Sequence, residues 1–595
     1  MDTANNITLP VVTQTPPVCA PADSARPRLW SGHYPAFFVI AVLGLSVLPG
    51  LVGHDPWKQD ETYITEIVRH MLASGDWTVP TMAGVPFMEK PPLFYWVAAI
   101  CAALSSPLLS LHDGARLATG IFVGGTGLAT AWIGHRWWGQ GRVCLLILLS
   151  SLGMVRHCHF MLTDLAMMTG FAVAICGLAL CHEKWGPGGL LLGTGVGIGF
   201  LAKGLLAPGV LGICALLLPL FFARWRHRNF LRTLAISLAA AAPWLLIWPL
   251  ALLHRSPPLF IEWFWLNNIG RFSGFSVPQL GASHTEWFWL TTLPWFTFPA
   301  LPLALMSVWR HRATAMSKES FQIAIVLTAA LMAVLWQSAS ARDNYALPLL
   351  LPLALIAAPA VSALPAWIDR FWARSAGVLW GAFTALLWAT WIWMAVRHRP
   401  PRLPLIDNFL PLDFIAQFNL RTLLAAVALI AGLLVLAKDC SRFAGRGLAV
   451  WFTGTAITWS LLSTLWLPWI DAAKSYRSVF DAVKAAMPVR YECIAERGMG
   501  ESELSMLSYF LGITAARLEF GEGARCDVLL INGAANAPPR DVDTGVWQAV
   551  WQGARPGDRD ERFWLYTRTP PPLEIRARVL KNQTTSPVIA SPYRH

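Results

Sequence analysis

Through residues 34–467 the chain consists of apolar runs close to the ~20 residues with which an α-helix crosses a bilayer core, separated by short, mostly basic breaks. A backbone in hydrocarbon must satisfy its hydrogen bonds within its own segment, so runs of this kind can fold only as membrane-spanning helices. Thirteen spans are expected, near 34–53, 115–134, 143–156, 162–181, 188–202, 205–223, 231–253, 287–309, 321–337, 345–364, 376–396, 421–437 and 449–467. Two of them, 143–156 and 188–202, are short in apolar residues. Only 13% of the residues are charged, against ~25% in soluble proteins. Many of the 31 tryptophans stand where a run meets polar sequence, as at Trp57, Trp185, Trp225, Trp309 and Trp466, the place amphipathic rings take at a lipid–water interface.

A net charge of +12 would suit nucleic acid, but its placement points to membrane lipids instead. The cations cluster between runs: His135, Arg136 and Arg142; Arg224 to Arg228; Arg310 to Arg312; Arg370 and Arg374; Lys438, Arg442 and Arg446. Such clusters mark cytoplasmic loops. All of them share one side only if the further apolar run 93–111 is not a span. That run is therefore expected to lie along the membrane surface, inside one long external loop, 54–114. The N-terminus is then cytoplasmic and the C-terminus external. Arg397, Arg399 and Arg402 fall on the external side and run against the charge rule. Residues 1–33 are polar and Pro-rich, without a signal-peptide pattern, and are expected to form a disordered cytoplasmic tail.

Beyond residue 469 the composition changes. Residues 476–487 read as a helix, and 528–532, 546–551 and 563–567 as strands. This predicts a small external α/β domain over 470–568, followed by a Pro-rich tail, 569–595. Its only cysteines, Cys493 and Cys526, could pair in an oxidising compartment. No internal repeat of the transporter kind is present.

The loop 54–114 carries the densest polar signal: Asp60-Glu61-Thr62, Ser74-Gly75-Asp76-Trp77 and Glu89-Lys90-Pro91-Pro92. Carboxylates held at a membrane face suit proton transfer or support of positive charge on a sugar ring, and Lys90 offers a cation for a phosphate. The plainer alternative is a solvated loop in which Asp60, Thr62 and Asp76 cap helices or turns. The same face receives Asp164, Lys203, Asn267, Asn268, Arg271, His284 and Arg342 to Tyr345, a convergence suited to a lipid phosphate. Headgroup contact would account for any one of them; their shared side is the stronger signal. Gly193, Gly195, Gly197 and Gly199 lie within an apolar span and read as helix packing. His157-Cys158-His159 lacks the second ligand pair of a metal site.

The stretch Asp60-Glu61-Thr62, Glu66-Ile67, Met71 to Trp77, Pro80, Gly84, Glu89-Lys90-Pro91 and Tyr95-Trp96 strongly resembles the first periplasmic loop of the aminoarabinose lipid A transferases. These belong to the protein-mannosyltransferase-like superfamily, with the GT-C fold. Thr163-Asp164, Lys203-Gly204, Arg271-Phe272, Pro294-Trp295, Tyr345 with Leu347-Pro348, Leu467-Pro468, Lys474-Ser475 and Ser508 to Gly512 agree with it. The match covers most of 50–515. The resemblance implies an α-helical polytopic membrane protein of GT-C type, with 34–469 as its catalytic domain, in a bacterial inner membrane. It implies transfer of a sugar from undecaprenyl phosphate to lipid A or another periplasmic acceptor, between the bilayer and the periplasmic domain. Asp60 would be the main catalytic carboxylate, with Glu61 and Asp164 beside it. Glu89, Lys90, Lys203, Arg271, Arg342 and Tyr345 would form the donor-phosphate site. A divalent metal at Glu89 and His284 is compatible with this pattern and not required by it.

Some positions depart from the family. Tyr63 and Ile64 stand where Arg-Tyr is common, Phe87 where a Tyr precedes the Glu-Lys pair, and Ala341 to Asn344 where a Lys-containing segment is usual. The expected consequence is loss of a cation and a hydroxyl near the site, hence a changed sugar or acceptor. Two other functions compete with transfer to lipid A. One is transfer of another sugar to a glycan, lipid or protein. The other, from a different class, is a polyprenol-lipid flippase or transporter, whose ionisable groups would sit near the midplane; here they gather at one face. A membrane sensor would leave the acidic first loop without a role.

Overall fold

The computed structural model describes residues 33–276, 287–338, 341–402, 406, 409–518, 525–539 and 541–568. The expected tails, apart from residue 33, and His284 lie outside these residues. Every expected span coincides with helix. Eight helices are long and apolar enough to cross a membrane: Leu111–Trp138, Thr163–Leu180, Trp185–Lys203, Arg228–Arg255, Glu319–Gln337, Asp343–Ser362 (with its opening 3-10 turn), Ala366–Arg397 and Leu420–Phe443. Two helix pairs are long and apolar enough only when taken together, and each is sharply bent at a short break. Phe288–Phe296 meets Ala300–Arg310 at 88°, and Gly445–Leu462 meets Leu467–Lys474 at 64°. Three expected spans are shorter apolar helices: His33–Val47, Gly141–Ser150 and Leu206–Phe221. The run 93–111 forms only the 13-residue helix Leu93–Ser105. At 1.5 Å per residue it reaches about 20 Å, short of the ~30 Å hydrocarbon core.

Burial sorts the bundle into centre and rim. In their most apolar windows, Thr163–Leu180 and Asp343–Ser362 are 89% and 83% buried, whereas Ala366–Arg397 and Leu420–Phe443 are only 17% buried. Helices apolar all round belong in the middle; exposed apolar faces such as Val378, Phe383, Leu424 and Val435 are surfaces for lipid. The glycine stretch packs helices, as its sequence implied. A Cβ on Gly193 would meet the Ser237 carbonyl oxygen at 2.3 Å, and one on Gly195 the Ala174 nitrogen at 2.4 Å. Helix Trp185–Lys203 is thus wedged between Arg228–Arg255 and Thr163–Leu180, which fixes the end bearing Lys203.

Outside the bundle, strands β1 (Thr81–Met82) and β2 (Val85–Pro86) make a small hairpin in the first loop. The C-terminal sheet comprises β3 (Ile494–Arg497), β4 (Ala516–Arg517), β5 (Val528–Ala534), β6 (Trp547–Gly553) and β7 (Glu561–Arg568), in the order β4-β3-β5-β7-β6. β3 runs parallel to β4 and β5, and the β5–β7 and β6–β7 pairs are antiparallel. Val528, Leu529, Leu530 and Ile531 are consecutive and all buried, as a central strand covered on both faces requires. A Cys493–Cys526 disulfide ties the start of β3 to the start of β5.

Helix Glu501–Leu511 carries this unit onto helix Asp60–Ser74 of the first loop. The Ser508 hydroxyl donates to Glu66 at 2.8 Å, and the Thr62 and Ser502 hydroxyls meet at 3.0 Å. Arg477 grips Asp55 through two nitrogens, at 2.9 and 2.5 Å. His112 meets the Tyr509 hydroxyl at 2.8 Å. A buried polar seam of this kind fixes one docking geometry, because an alternative would leave its members unpaired.

Candidate active site

Helix Asp60–Ser74 begins at Asp60 itself, after Gln59, and no side chain caps it. Asp60 is therefore not the cap that a plain loop would make of it, and Thr62 turns its hydroxyl to the Gln59 carbonyl. Asp76 does play the plain part, accepting from the Thr78 and Val79 amides at 2.9 and 3.1 Å. Freed from capping, the Asp60 carboxylate faces a cavity of about 370 Å³ between the first loop and the C-terminal unit. Lys58, Asp60, Tyr63, Glu89 and Arg342 line it from the membrane-domain side. Glu501, Glu503, Asn532 and Glu561 line it from the C-terminal side.

Behind this wall acids and bases alternate. Lys90 stands 3.5 Å from Asp60 and donates to the Tyr63 hydroxyl. Arg271 pairs with Glu89 at 3.0 Å. Lys203 pairs with the fully buried Asp164, whose second oxygen accepts from the Asn344 amide at 3.2 Å. The Lys203 ammonium also lies 4.0 Å from the centre of the Tyr345 ring. Burial alone would raise the Asp60 carboxyl; Lys90, the Tyr63 hydroxyl, Arg342 and Lys203 outweigh it and hold the group below the usual carboxylate range. Burial would likewise lower Lys90, but Asp60, Glu89, Asp164 and Tyr345 keep it raised. Both members of the central pair are ionised at neutral pH. Arg342 has no ion-pair partner among the described residues and reaches the cavity as an uncommitted cation.

Glu61 sits elsewhere. It is 2% exposed and accepts from the Arg116 guanidinium at 2.8 Å and from the Trp57 and Met161 amides, both at 3.2 Å. Arg116, fully buried, also reaches Asp113 and the Leu51 and His54 carbonyls. This clamp joins the first loop to helix Leu111–Trp138 and turns the Glu61 carboxylate away from the cavity. The expected loss of a hydroxyl is also corrected. Tyr63 packs its ring on Phe87, with centroids 4.9 Å apart, and supplies the hydroxyl against Lys90.

At Glu89 the carboxylate is engaged by Arg271, and His284 lies outside the described residues. No metal-ligand set gathers there among the described residues. In the His157-Cys158-His159 run the histidines diverge: His157 binds the Gly153 carbonyl and His159 that of Ser46.

Lys58, Glu501, Glu503 and Glu561 were not anticipated. Lys58 bridges Glu503 at 2.9 Å and Glu561 at 2.6 Å. Glu501 makes no such pair among the described residues. Loss of hydration on burial, then repulsion from Glu89 and Asp60, push its carboxyl up to about 7 against the pull of Lys90 and Arg271. The available signal was Gly498-Met499-Gly500 followed by Glu501 and Glu503, a helix start with acids in its first turn.

The fold is that of a polytopic membrane protein of GT-C type. Its fold is that of ArnT from Cupriavidus metallidurans. Against the crystal structure of ArnT bound to undecaprenyl phosphate, the TM-score is 0.63 at 15% identity, over 90% of this chain and 98% of ArnT. Against the apo state it is also 0.63, at 16% identity, over 89% and 97%. In sequence the chain is similar to proteins named undecaprenyl phosphate-alpha-4-amino-4-deoxy-L-arabinose arabinosyl transferase. Identity is 32% over 342 residues with the Sodalis glossinidius protein and 30% over 341 residues with that of Edwardsiella ictaluri. These matches take in 56% and 55% of this chain and 58% and 60% of the relatives, so less than two thirds of each relative is spanned. No family profile matches the chain.

Proposed function

We propose that the protein is a glycosyltransferase that moves a sugar from undecaprenyl phosphate to an acceptor at the periplasmic face of a bacterial inner membrane, with aminoarabinose as sugar and lipid A as acceptor. The observation that carries this is the ionised Asp60–Lys90 pair at the wall of a cavity lined by five carboxylates and two cations. The acidic excess suits a sugar bearing an ammonium group, and the relatives carry an amino sugar in their name. The cations around Glu89 and Asp164 suit a phosphate that gains charge as it leaves.

In the transfer, the bond between the sugar's anomeric carbon and the phosphate oxygen breaks, and its electron pair stays on the phosphate. Lys90 and Arg342, with Arg271 and Lys203 behind, stabilise that charge. An acceptor oxygen bonds to the anomeric carbon. Asp60, ionised, faces the positive charge that develops on the sugar ring. Glu501 is placed to take a proton from the acceptor where it has one to lose. Residues 470–568 form the periplasmic unit that closes the cavity from above, and residues 54–114 supply its floor.

Lipid mass spectrometry of a strain lacking the gene against its complemented counterpart tests this. The expected difference is one aminopentose on lipid A, present only in the complemented strain. Identical lipid A in both would remove the acceptor, and an unchanged pool of undecaprenyl-linked sugar would remove the donor.

A further inference from the structure

At the end of the bundle away from the cavity, a second group of reactive side chains converges from two helices. Helix Thr163–Leu180 starts behind the cavity wall with Asp164, and the turn after its far end carries Cys181 and His182. Helix Glu319–Gln337 begins beside that turn with Glu319. The Cys181 sulfur, a His182 ring nitrogen and a Glu319 carboxylate oxygen all lie within 4.8 Å of one another. The Cys181 thiol is free and fully buried. His182 Nε2 is buried and has no hydrogen-bond partner among the described residues, which is costly for a ring nitrogen stripped of water.

The backbone of this turn is held in place. The Asn229 amide donates to the His182 carbonyl at 3.1 Å, and the Thr233 hydroxyl to that of Cys181 at 3.5 Å. The ion pair between Glu319 and Arg224, at 3.4 Å, accounts for the carboxylate without a ligand. The Cys181 sulfur sits against the backbone amides of Cys181 and His182 and the His182 ring packs on Trp225, centroids 4.9 Å apart, which leaves the His182 nitrogen unexplained. Thiolate, imidazole and carboxylate are the donor types of a borderline-soft divalent ion. Bonds of ~2.0–2.3 Å would set the donor atoms ~3.5 Å apart, so binding would draw atoms now within 4.8 Å of one another closer together.

We propose that Cys181, His182 and Glu319 bind a zinc-class divalent cation, with water as the fourth ligand. Binding releases the thiol proton to solvent, uses His182 through Nε2, and exchanges Arg224 for the metal at Glu319. The ion ties the far end of Thr163–Leu180, whose near end holds Asp164, to the helix packed beside it. This site is independent of the transfer chemistry.

The test adds Co²⁺ alone to the purified, metal-stripped full chain in detergent. The wild type should develop a thiolate-to-cobalt charge-transfer absorption that saturates at one equivalent and is displaced by Zn²⁺. Cys181→Ser should abolish it, and His182→Ala and Glu319→Gln should each weaken binding about tenfold or more. Zn²⁺ should raise the melting temperature of the wild type but not of Cys181→Ser, each protein being compared with itself, so a less stable variant still reports. Should Cys181→Ser fail to fold, the other two variants carry the same decision. No sulfur–cobalt absorption in the wild type, or binding unchanged in the variants, overturns the site.

Discussion

Asp60 and Glu61 are adjacent in the chain and do different work. Asp60 opens a helix at the cavity, whereas Glu61, one helical step on, turns inward to Arg116. Removing one member of a buried pair leaves the other charge uncompensated, at ~3–5 kcal/mol. Asp113 still serves Arg116, so Glu61→Gln should fall toward the lower end of that range. A lowered melting temperature in detergent, with donor affinity retained by the folded fraction, is the expected result. Unchanged stability with lost turnover would return Glu61 to the chemistry. Glu501 offers a pH test. Its carboxyl lies at about 7, so it ionises as pH rises through neutrality, and a proton acceptor works only when ionised. Transfer by the wild type should rise through pH 7, and Glu501→Gln should flatten that limb; a rise that survives the substitution excludes Glu501 as its source. Asp60, Glu89 and Lys90 were legible because the loop motif is contiguous. Glu501 was not, because its partners lie some four hundred positions earlier and only the docking of two helices brings them together. The direction of Glu61 was equally hidden, since a motif gives spacing and not which face is buried.

The element that builds the site is the pair of helices Asp60–Ser74 and Glu501–Leu511, locked by Glu66, Arg69 and Ser508. The second helix depends on the sheet behind it, which the Cys493–Cys526 bridge closes over 33 positions. Opening that loop should cost the C-terminal unit ~2–4 kcal/mol. Cys493→Ser should therefore make residues 476–568 unfold at lower denaturant, seen as earlier proteolysis, with the bundle unaffected. Unchanged protease resistance would show the bridge to be unnecessary. The central strand β5 and its neighbour β7 were readable as runs rich in β-formers. β4 has two residues at an edge, and β3 has four, too few for a periodic pattern. The apolar runs located helices, but three of the thirteen expected spans are too short by themselves to cross, and the 88° and 64° breaks were invisible in the runs. Hydropathy reports how much of a segment is apolar, not whether its backbone continues straight.

For the whole molecule, the short helix Leu93–Ser105 decides the sidedness of everything after it. If it lies on the outer surface, a cysteine at the exposed Ser106 should react with an impermeant thiol reagent from the periplasm, in a background lacking the native cysteines. Labelling only after the membrane is opened would invert the molecule. The basic residues near Arg397 remain the exception to the charge rule. The segment after them reaches the C-terminal unit, where the Pro411 nitrogen lies 3.0 Å from the position a Cβ on Gly557 would take. The charge rule is an average over loops, and this loop is committed to a tertiary contact. The central claim, a polyprenyl-phosphate sugar transferase acting through Asp60, is tested most directly by transfer in vitro. Purified protein is given undecaprenyl-phosphate-linked aminoarabinose and lipid A, and turnover and donor affinity are measured for wild type, Asp60→Asn and Lys90→Ala. Asp60→Asn keeps the side chain's shape and should lose about 10²-fold or more in turnover with donor affinity nearly intact. Lys90→Ala should bind the donor more weakly, because the phosphate keeps its charge and loses its cation. Transfer at the wild-type rate by Asp60→Asn, or no transfer by the wild type itself, would contradict the account.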